Sequence, residues 1–317
     1  MTSLLRGIAW RSHDGRPLRA DPADRDRLPA DTWSRALVPA GVRLELRCHG
    51  ASALRIRYAA SEPSLADTYR PHAPVFTLLS GDEVADETSA HPTYDGTAVL
   101  QLPHPDGEFT VHLPEALCPV IRTVDTDAGT IEPTPARPRW LVHGDSIVEG
   151  WAASRPHLAW PAIAGRALGV DTVNLGYAGA ARGELASAEQ LASLDADLIT
   201  VAFGTNCWAR TPHSAPLLHE VTRAFLAVVR RAHPHVPLLV VSPVVRPGAE
   251  ATPNRLGATL TDLRNAVERA AREVPLLPGG RLLDAAHLVD GVHPGDEGHA
   301  LLAEAVVEAI RKTERRP

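Results

Sequence analysis

The sequence predicts an α/β domain with a parallel sheet, preceded by an antiparallel β-sandwich of the jelly-roll kind. Three observations carry this. Up to residue 132, short segments alternate between apolar and polar residues and are separated by turn residues. From residue 139 onward, apolar strands alternate with segments of helical period. Between the two lies Glu132-Pro133-Thr134-Pro135-Ala136-Arg137-Pro138, a stiff Pro-rich stretch. The expected division is a sandwich over 1–132, a linker over 133–138 and a second domain over 139–317. A chain of 317 residues accommodates this at roughly 150 residues per domain.

In the first part, Val42 to Cys48 alternates strictly between apolar and charged residues, the period of a half-buried strand. Leu54 to Tyr58 repeats the pattern, and Thr97 to Leu102 and Phe109 to Leu113 read as further strands. Gly50, Asp95-Gly96 and Asp106-Gly107 supply the turns. In the second part, strands are expected at Arg139–His143, Asp171–Leu175, Leu198–Phe203 and Leu238–Ser242. Helices are expected at His157–Leu168, Glu184–Leu194, Ala215–Ala232, Arg255–Val274 and Gly295–Lys312.

Composition narrows the class. Hydrophobic residues at 44% and charged residues at 22% suit a globular chain rather than a disordered one. A net charge of -6 argues against a nucleic-acid partner held by bulk positive charge. Cys48, Cys118 and Cys207 lack any metal-ligand spacing and are too few for a disulfide framework. No apolar run suits a signal peptide, and Pro237 and Pro243 interrupt the greasiest stretch, so neither a leader nor a membrane span is expected. The expected setting is the cytoplasm.

In parallel sheets, functional groups collect where strands end. The first α/β strand runs into Gly144-Asp145-Ser146. A Ser on such a turn can present its hydroxyl above the sheet and its N–H toward an oxyanion; a simple helix cap fits the same residues. The next strands lead to Gly176-Tyr177-Ala178-Gly179 and to Gly204-Thr205-Asn206. Glycine lets a backbone N–H approach a ligand, and the Asn amide is an uncharged donor, although each loop alone is ordinary. Near the C-terminus stands Asp290-Gly291-Val292-His293. A carboxylate three residues before a His can accept its Nδ1–H and leave Nε2 free to take a proton from a Ser.

Taken in order, Gly144-Asp145-Ser146, Gly179, Gly204-Thr205-Asn206 and Asp290-Gly291-Val292-His293 resemble the motif blocks of the GDSL/SGNH hydrolase superfamily. Trp160-Pro161 is similar to it as well, and the resemblance spans about residues 139–312. Ile147 stands where the motif name has Leu, and Cys207 follows Asn206 where Asp is frequent. The resemblance implies a flavodoxin-like three-layer α/β/α domain without cofactor or metal. It implies Ser146 as nucleophile, His293 as base and then acid, and Asp290 as its orienter. The implied oxyanion hole is the Ser146 and Gly179 N–H groups with the Asn206 side chain. A sandwich before such a domain is similar to the carbohydrate-binding jelly roll of some carbohydrate-active esterases, and a purely structural domain fits equally.

The expected activity is a serine esterase acting on a small-molecule ester, an acylated carbohydrate or a natural product. An acyltransferase with a hydroxyl acceptor would use the same triad. A binding protein with a disused catalytic domain is disfavoured by the intact Ser, Asn, Asp and His set. Trp151 and Trp208, with Trp160, are candidate walls for a sugar ring or aromatic acyl group; core packing is the alternative. His143 is expected to pack between sheet and helix, and His299 to be exposed or to pack.

Overall fold

The computed structural model describes residues 4–61 and 73–314. The chain opens with β1 (Leu5–Arg6), the two-stranded ribbon β2 (Trp10–Arg11) and β3 (Pro17–Leu18), and the helix α1 (Ala30–Ala36). Eight strands follow: β4 (Arg43–His49), β5 (Ala53–Ala60), β6 (Val75–Ser80), β7 (Glu83–Ser89), β8 (Thr93–Gln101), β9 (Gly107–His112), β10 (Val120–Thr126) and β11 (Thr130–Pro133). One antiparallel sheet runs β1-β4-β9-β6-β7, with β11 also on β4; the other runs β10-β5-β8. Leu44, Leu46, Phe76, Leu78, Phe109 and Val111 from the first meet Leu54, Ile56, Ala98, Leu100, Ile121 and Val124 from the second in one core. This is the predicted sandwich, with more strands than the alternation revealed.

The charged face of β4 is not the solvent face. Arg43 and Glu45 are both buried and ion-paired at 2.7 Å. Arg43 also reaches Asp171 at 3.0 Å and donates to the Thr172 carbonyl at 3.1 Å. The outer face of the sandwich therefore docks on the second unit through satisfied charges rather than apolar surface.

That unit contains β12 (Arg139–Gly144), α2 (Ser146–Glu149), α3 (Trp160–Leu168), β13 (Asp171–Gly176), α4 (Leu185–Ser193), β14 (Leu198–Ala202), α5 (Ala215–Ala232) and β15 (Leu238–Val241). It ends with α6 (Pro247–Glu250), α7 (Leu260–Ala270), β16 (Leu276–Leu277) and α8 (Asp296–Glu314). Its sheet is parallel, in the order β13-β12-β14-β15-β16. Numbered within this unit, that is the 2-1-3-4-5 order of flavodoxin-like folds. Trp140, Val142, Leu239 and Val241 face α3 and α8, whereas Leu141, Leu175, Val201 and Val240 face α4, α5 and α7. Both faces are covered, so the strands read as apolar runs.

Several boundaries differ from expectation. The helix expected at Arg255 starts at Leu260, behind a Thr259–Asp262 capping box. The expected linker starts inside β11, and Thr134 is buried with its hydroxyl donating to Glu45 at 3.3 Å. Residues 1–132 are also not all sandwich: Ala20, Leu28 and Ala36 pack into the α/β core with Leu175, Tyr177 and Ala188. Local period could not show this, because a seven-residue helix presents too little pattern to reveal its distant partner.

Candidate active site

The carboxyl ends of β12, β13 and β14 open into a cleft that contains Ser146, Ala178, Gly179, Asn206 and His293. Gly144 ends β12 where a Cβ would lie 2.1 Å from the Ala202 carbonyl oxygen of the neighbouring strand. Only glycine lets these strands close up there and the chain turn at once into α2. Asp145 caps that helix, its carboxylate accepting the Ile147 N–H at 3.0 Å, and Ser146 is its first residue. The cap is thus Asp145, and Ser146 stands beside it at the cleft. Asp145 is fully enclosed, and burial pushes its carboxyl up to about 6.

Ser146 Oγ lies 2.9 Å from His293 Nε2, and His293 Nδ1 lies 2.7 Å from Asp290 Oδ2. The other Asp290 oxygen accepts the backbone N–H groups of Val292 and His293, at 3.0 and 2.8 Å. Burial alone would raise this carboxyl; the hydrogen bonds from the His293 ring and backbone outweigh it and hold it below the usual carboxylate range. An ionised Asp290 requires Nδ1–H as the donor, which leaves the Nε2 lone pair facing the serine hydroxyl. The Asp-x-x-His spacing achieves this within one turn.

The glycine loop is held from behind. Gly179 sits at φ +72°, and the preceding N–H, of Ala178, donates to Glu149 Oε2 at 2.8 Å. Glu149 is completely buried and ion-paired with Arg19 and Arg35 of the N-terminal segment. Asn206 donates one amide hydrogen to the Ala180 carbonyl, which fixes its plane and leaves a second donor. Cys207, beside it, turns into the core and accompanies the Arg182 carbonyl at 3.8 Å. The absence of Asp at that position leaves the Asn side chain anchored.

The aromatic candidates separate. Trp151 lines the cleft, with its ring 5.8 Å from that of His293. Trp208 stands behind the wall, donating to the Thr252 carbonyl at 2.8 Å and carrying the Arg246 guanidinium 4.8 Å over its ring. Trp160 is a core residue packed on Trp140. His143 is buried and stacked on Phe225 at 5.1 Å, and burial lowers it to about 4, so it stays neutral away from the serine. His299 is also buried, accepting the Trp160 N–H at 3.3 Å and donating to the Trp151 carbonyl at 3.1 Å.

Four cleft residues had no motif to mark them: Asp31 and Arg35 from α1, and Arg210 and Arg246. Arg246 follows β15, so inspection of every strand end would have reached it; the two α1 residues arrive from another part of the chain. Among the described residues no group of three or more His, Cys, Asp or Glu could hold a metal ion. Nor is any of the described helices long and apolar enough to cross a membrane.

Comparisons with known proteins bear on the family and the fold. Residues 142–301 match the GDSL-like lipase/acylhydrolase family. The salicylyl-acyltransferase SsfX3 from a tetracycline biosynthetic pathway has a similar structure, with a TM-score of 0.86 and 26% identity over 99% of this chain and 95% of that one. A putative GDSL-like lipase from Bacteroides ovatus superposes with a TM-score of 0.80 at 20% identity, covering 99% of this chain and 96% of that one. A family two carbohydrate esterase from Clostridium thermocellum, solved with cellohexaose, shares the fold at a TM-score of 0.64 and 13% identity, covering 86% and 92%. No curated protein sequence matches the chain. The family match spans half of the chain and contains every block from the nucleophile turn to the Asp-x-x-His loop, and the chain therefore belongs to the GDSL-like lipase/acylhydrolase family of ester-acting enzymes.

Proposed function

We propose that Ser146, His293 and Asp290 form the catalytic triad of a serine esterase. The observation that carries this is the continuous line from Ser146 Oγ through His293 to Asp290, at 2.9 and 2.7 Å, at the edge of an open cleft. His293 Nε2 takes the hydroxyl proton as Ser146 Oγ attacks the ester carbonyl carbon. The oxyanion is met by the Ser146 and Gly179 N–H groups and by the free amide hydrogen of Asn206. Collapse expels the alcohol, which takes its proton from His293. Water, deprotonated by the same His, then releases the acid from acyl-Ser146.

An acyltransferase is the second reading, favoured by the similarity over nearly the whole chain to a salicylyl-acyltransferase. A hydroxyl acceptor then replaces water in the second half. In both readings the substrate is a small-molecule ester or an acylated sugar or natural product, with Trp151 as an aromatic wall. The two units, 1–132 and 139–317 joined through 133–138, act together, because α1 of the first supplies cleft residues. Three free, buried cysteines suit a reducing compartment such as the cytoplasm.

The test is incubation with p-nitrophenyl esters and acetylated sugars, followed by intact-mass detection of acyl-Ser146. An acyl adduct absent from Ser146→Ala is expected; unchanged turnover by that variant would refute the assignment. Adding an alcohol acceptor separates the two readings, since a transferase yields the new ester in place of free acid.

A further inference from the structure

We propose that the cleft takes a substrate bearing an anionic group, a carboxylate or a phosphate, which Arg210 and Arg246 bind. This rests on the reading of Ser146 as the nucleophile and names the substrate class of that site. The argument is an accounting of charge around the cleft. Asp31 is held by Arg182 at 2.8 Å. Glu149 lies between Arg19 and Arg35. Asp290 is engaged by His293, and Glu250 faces Arg264 at 2.6 Å. Asp31, which shares Arg182 with Glu184, and Glu149 and Glu250 thus face guanidinium groups, while Asp290 is hydrogen-bonded to an imidazole. Arg210 and Arg246 remain, both lining the cleft, and neither side chain makes a hydrogen bond or ion pair among the described residues.

Their settings suit them to a ligand. Arg246 is half-buried; burial pulls its guanidinium below the usual value, against the opposing charge of Asp290, so it is partly dehydrated, and no described carboxylate lies within ion-pair distance of it. Its guanidinium carbon lies over the Trp208 ring, a cation–π contact that restrains the group without using its N–H donors. Arg210 packs against the glycine loop, where a Cβ at Gly179 would lie 3.2 Å from Arg210 Cζ. Two planar donors near the oxyanion donors match an acyl or alcohol part whose charged end lies beyond the scissile ester. A chain of net charge -6 would otherwise repel such a substrate, which makes the local excess of cations an effective selector.

Two matched pairs of probes test this and distinguish the sources of the anion. 4-Nitrophenyl hydrogen adipate and its neutral methyl ester differ in one carboxylate; S-acetyl-4′-phosphopantetheine and S-acetylpantetheine differ in one phosphate. The wild-type enzyme is expected to favour the anionic member of one pair. Arg210→Ala and Arg246→Ala should each reduce the ratio of kcat/KM between the members by about ten-fold, mainly through KM, as expected for loss of a charge-assisted hydrogen bond. Lysine at either position should restore part of the ratio. A wild-type ratio near one for both pairs, or a ratio untouched by either alanine, overturns the proposal. An equal fall in kcat for charged and neutral members also overturns it, because the arginines would then serve the oxyanion. Calorimetric titration of the same probes into Ser146→Ala reads the preference without turnover. Failure of hydrolysis there and in the wild type would count against the nucleophile alone, and equal affinities within each pair against the anion site alone.

Discussion

Glu149→Gln is expected to lower both stability and turnover. The Glu149 side chain is 0% exposed, and Arg19 and Arg35 are 1% and 3% exposed. Removing one partner from such a buried pair costs about 3–5 kcal/mol, far above the ~0–1 kcal/mol of a surface pair. For a protein of this size each kcal/mol lowers the melting temperature by about 2–4 °C, so the transition should fall by on the order of 10 °C. The catalytic consequence runs through Ala178. Its N–H donates to Glu149 Oε2 at 2.8 Å and fixes the peptide just before Gly179. Gln retains an oxygen there but not the charge, so kcat should fall by less than the roughly hundred-fold lost with a whole oxyanion donor. Calorimetric melting and steady-state kinetics on one p-nitrophenyl ester measure both. A variant melting within about 2 °C of wild type would show that the buried charges balance some other way, contrary to the cost cited for buried pairs.

Three further outcomes are expected. Asn206→Ala should lower kcat by on the order of a hundred- to a thousand-fold with a smaller change in KM, and an effect confined to KM would make Asn206 a binding residue. Asp290→Asn should favour the wrong His293 tautomer and cut kcat by up to ~10⁴-fold, checked against His293→Ala in the same assay; wild-type activity in both would move the base elsewhere. Asp145→Asn tests the buried carboxyl. Its folded pKa of about 6 lies above the ordinary value of 3.8, so the protonated form stabilises the fold at low pH and that contribution is lost as pH rises through 6. Asn cannot ionise, so its advantage over wild type should grow by about 3 kcal/mol between pH ~3 and pH ~8, read by denaturant titration at the two pH values. A pH-independent difference would refute it.

How much was legible depended on distance along the chain. Gly144, Ser146, Asp290 and His293 could be read because strand ends and a single turn determine their placement. Ala215–Ala232 was delimited correctly because its apolar stripe runs unbroken over eighteen residues behind a Ser214 cap. The strands Val75–Ser80 and Glu83–Ser89 were missed for opposite reasons: one is almost wholly buried and the other almost wholly exposed, so neither alternates. Arg35 could not be assigned, since its role exists only when α1 meets Glu149, 114 positions later.

The union of α1 with Glu149 also sets the limits of modularity. Cutting at the Pro-rich stretch and grafting residues 139–317 behind a foreign sandwich would transplant Glu149 without Arg19 and Arg35, and the cleft without Asp31. The exchangeable part is smaller: the sheet β10-β5-β8 and its turns, which lie away from the docking charges of Arg43 and Glu45. Descent and recombination are thereby constrained as well. A substitution at 149 alone carries the stability loss worked out above, so changes at 149 are expected to come with matching changes at 19 and 35, whereas the far sheet is free to diverge.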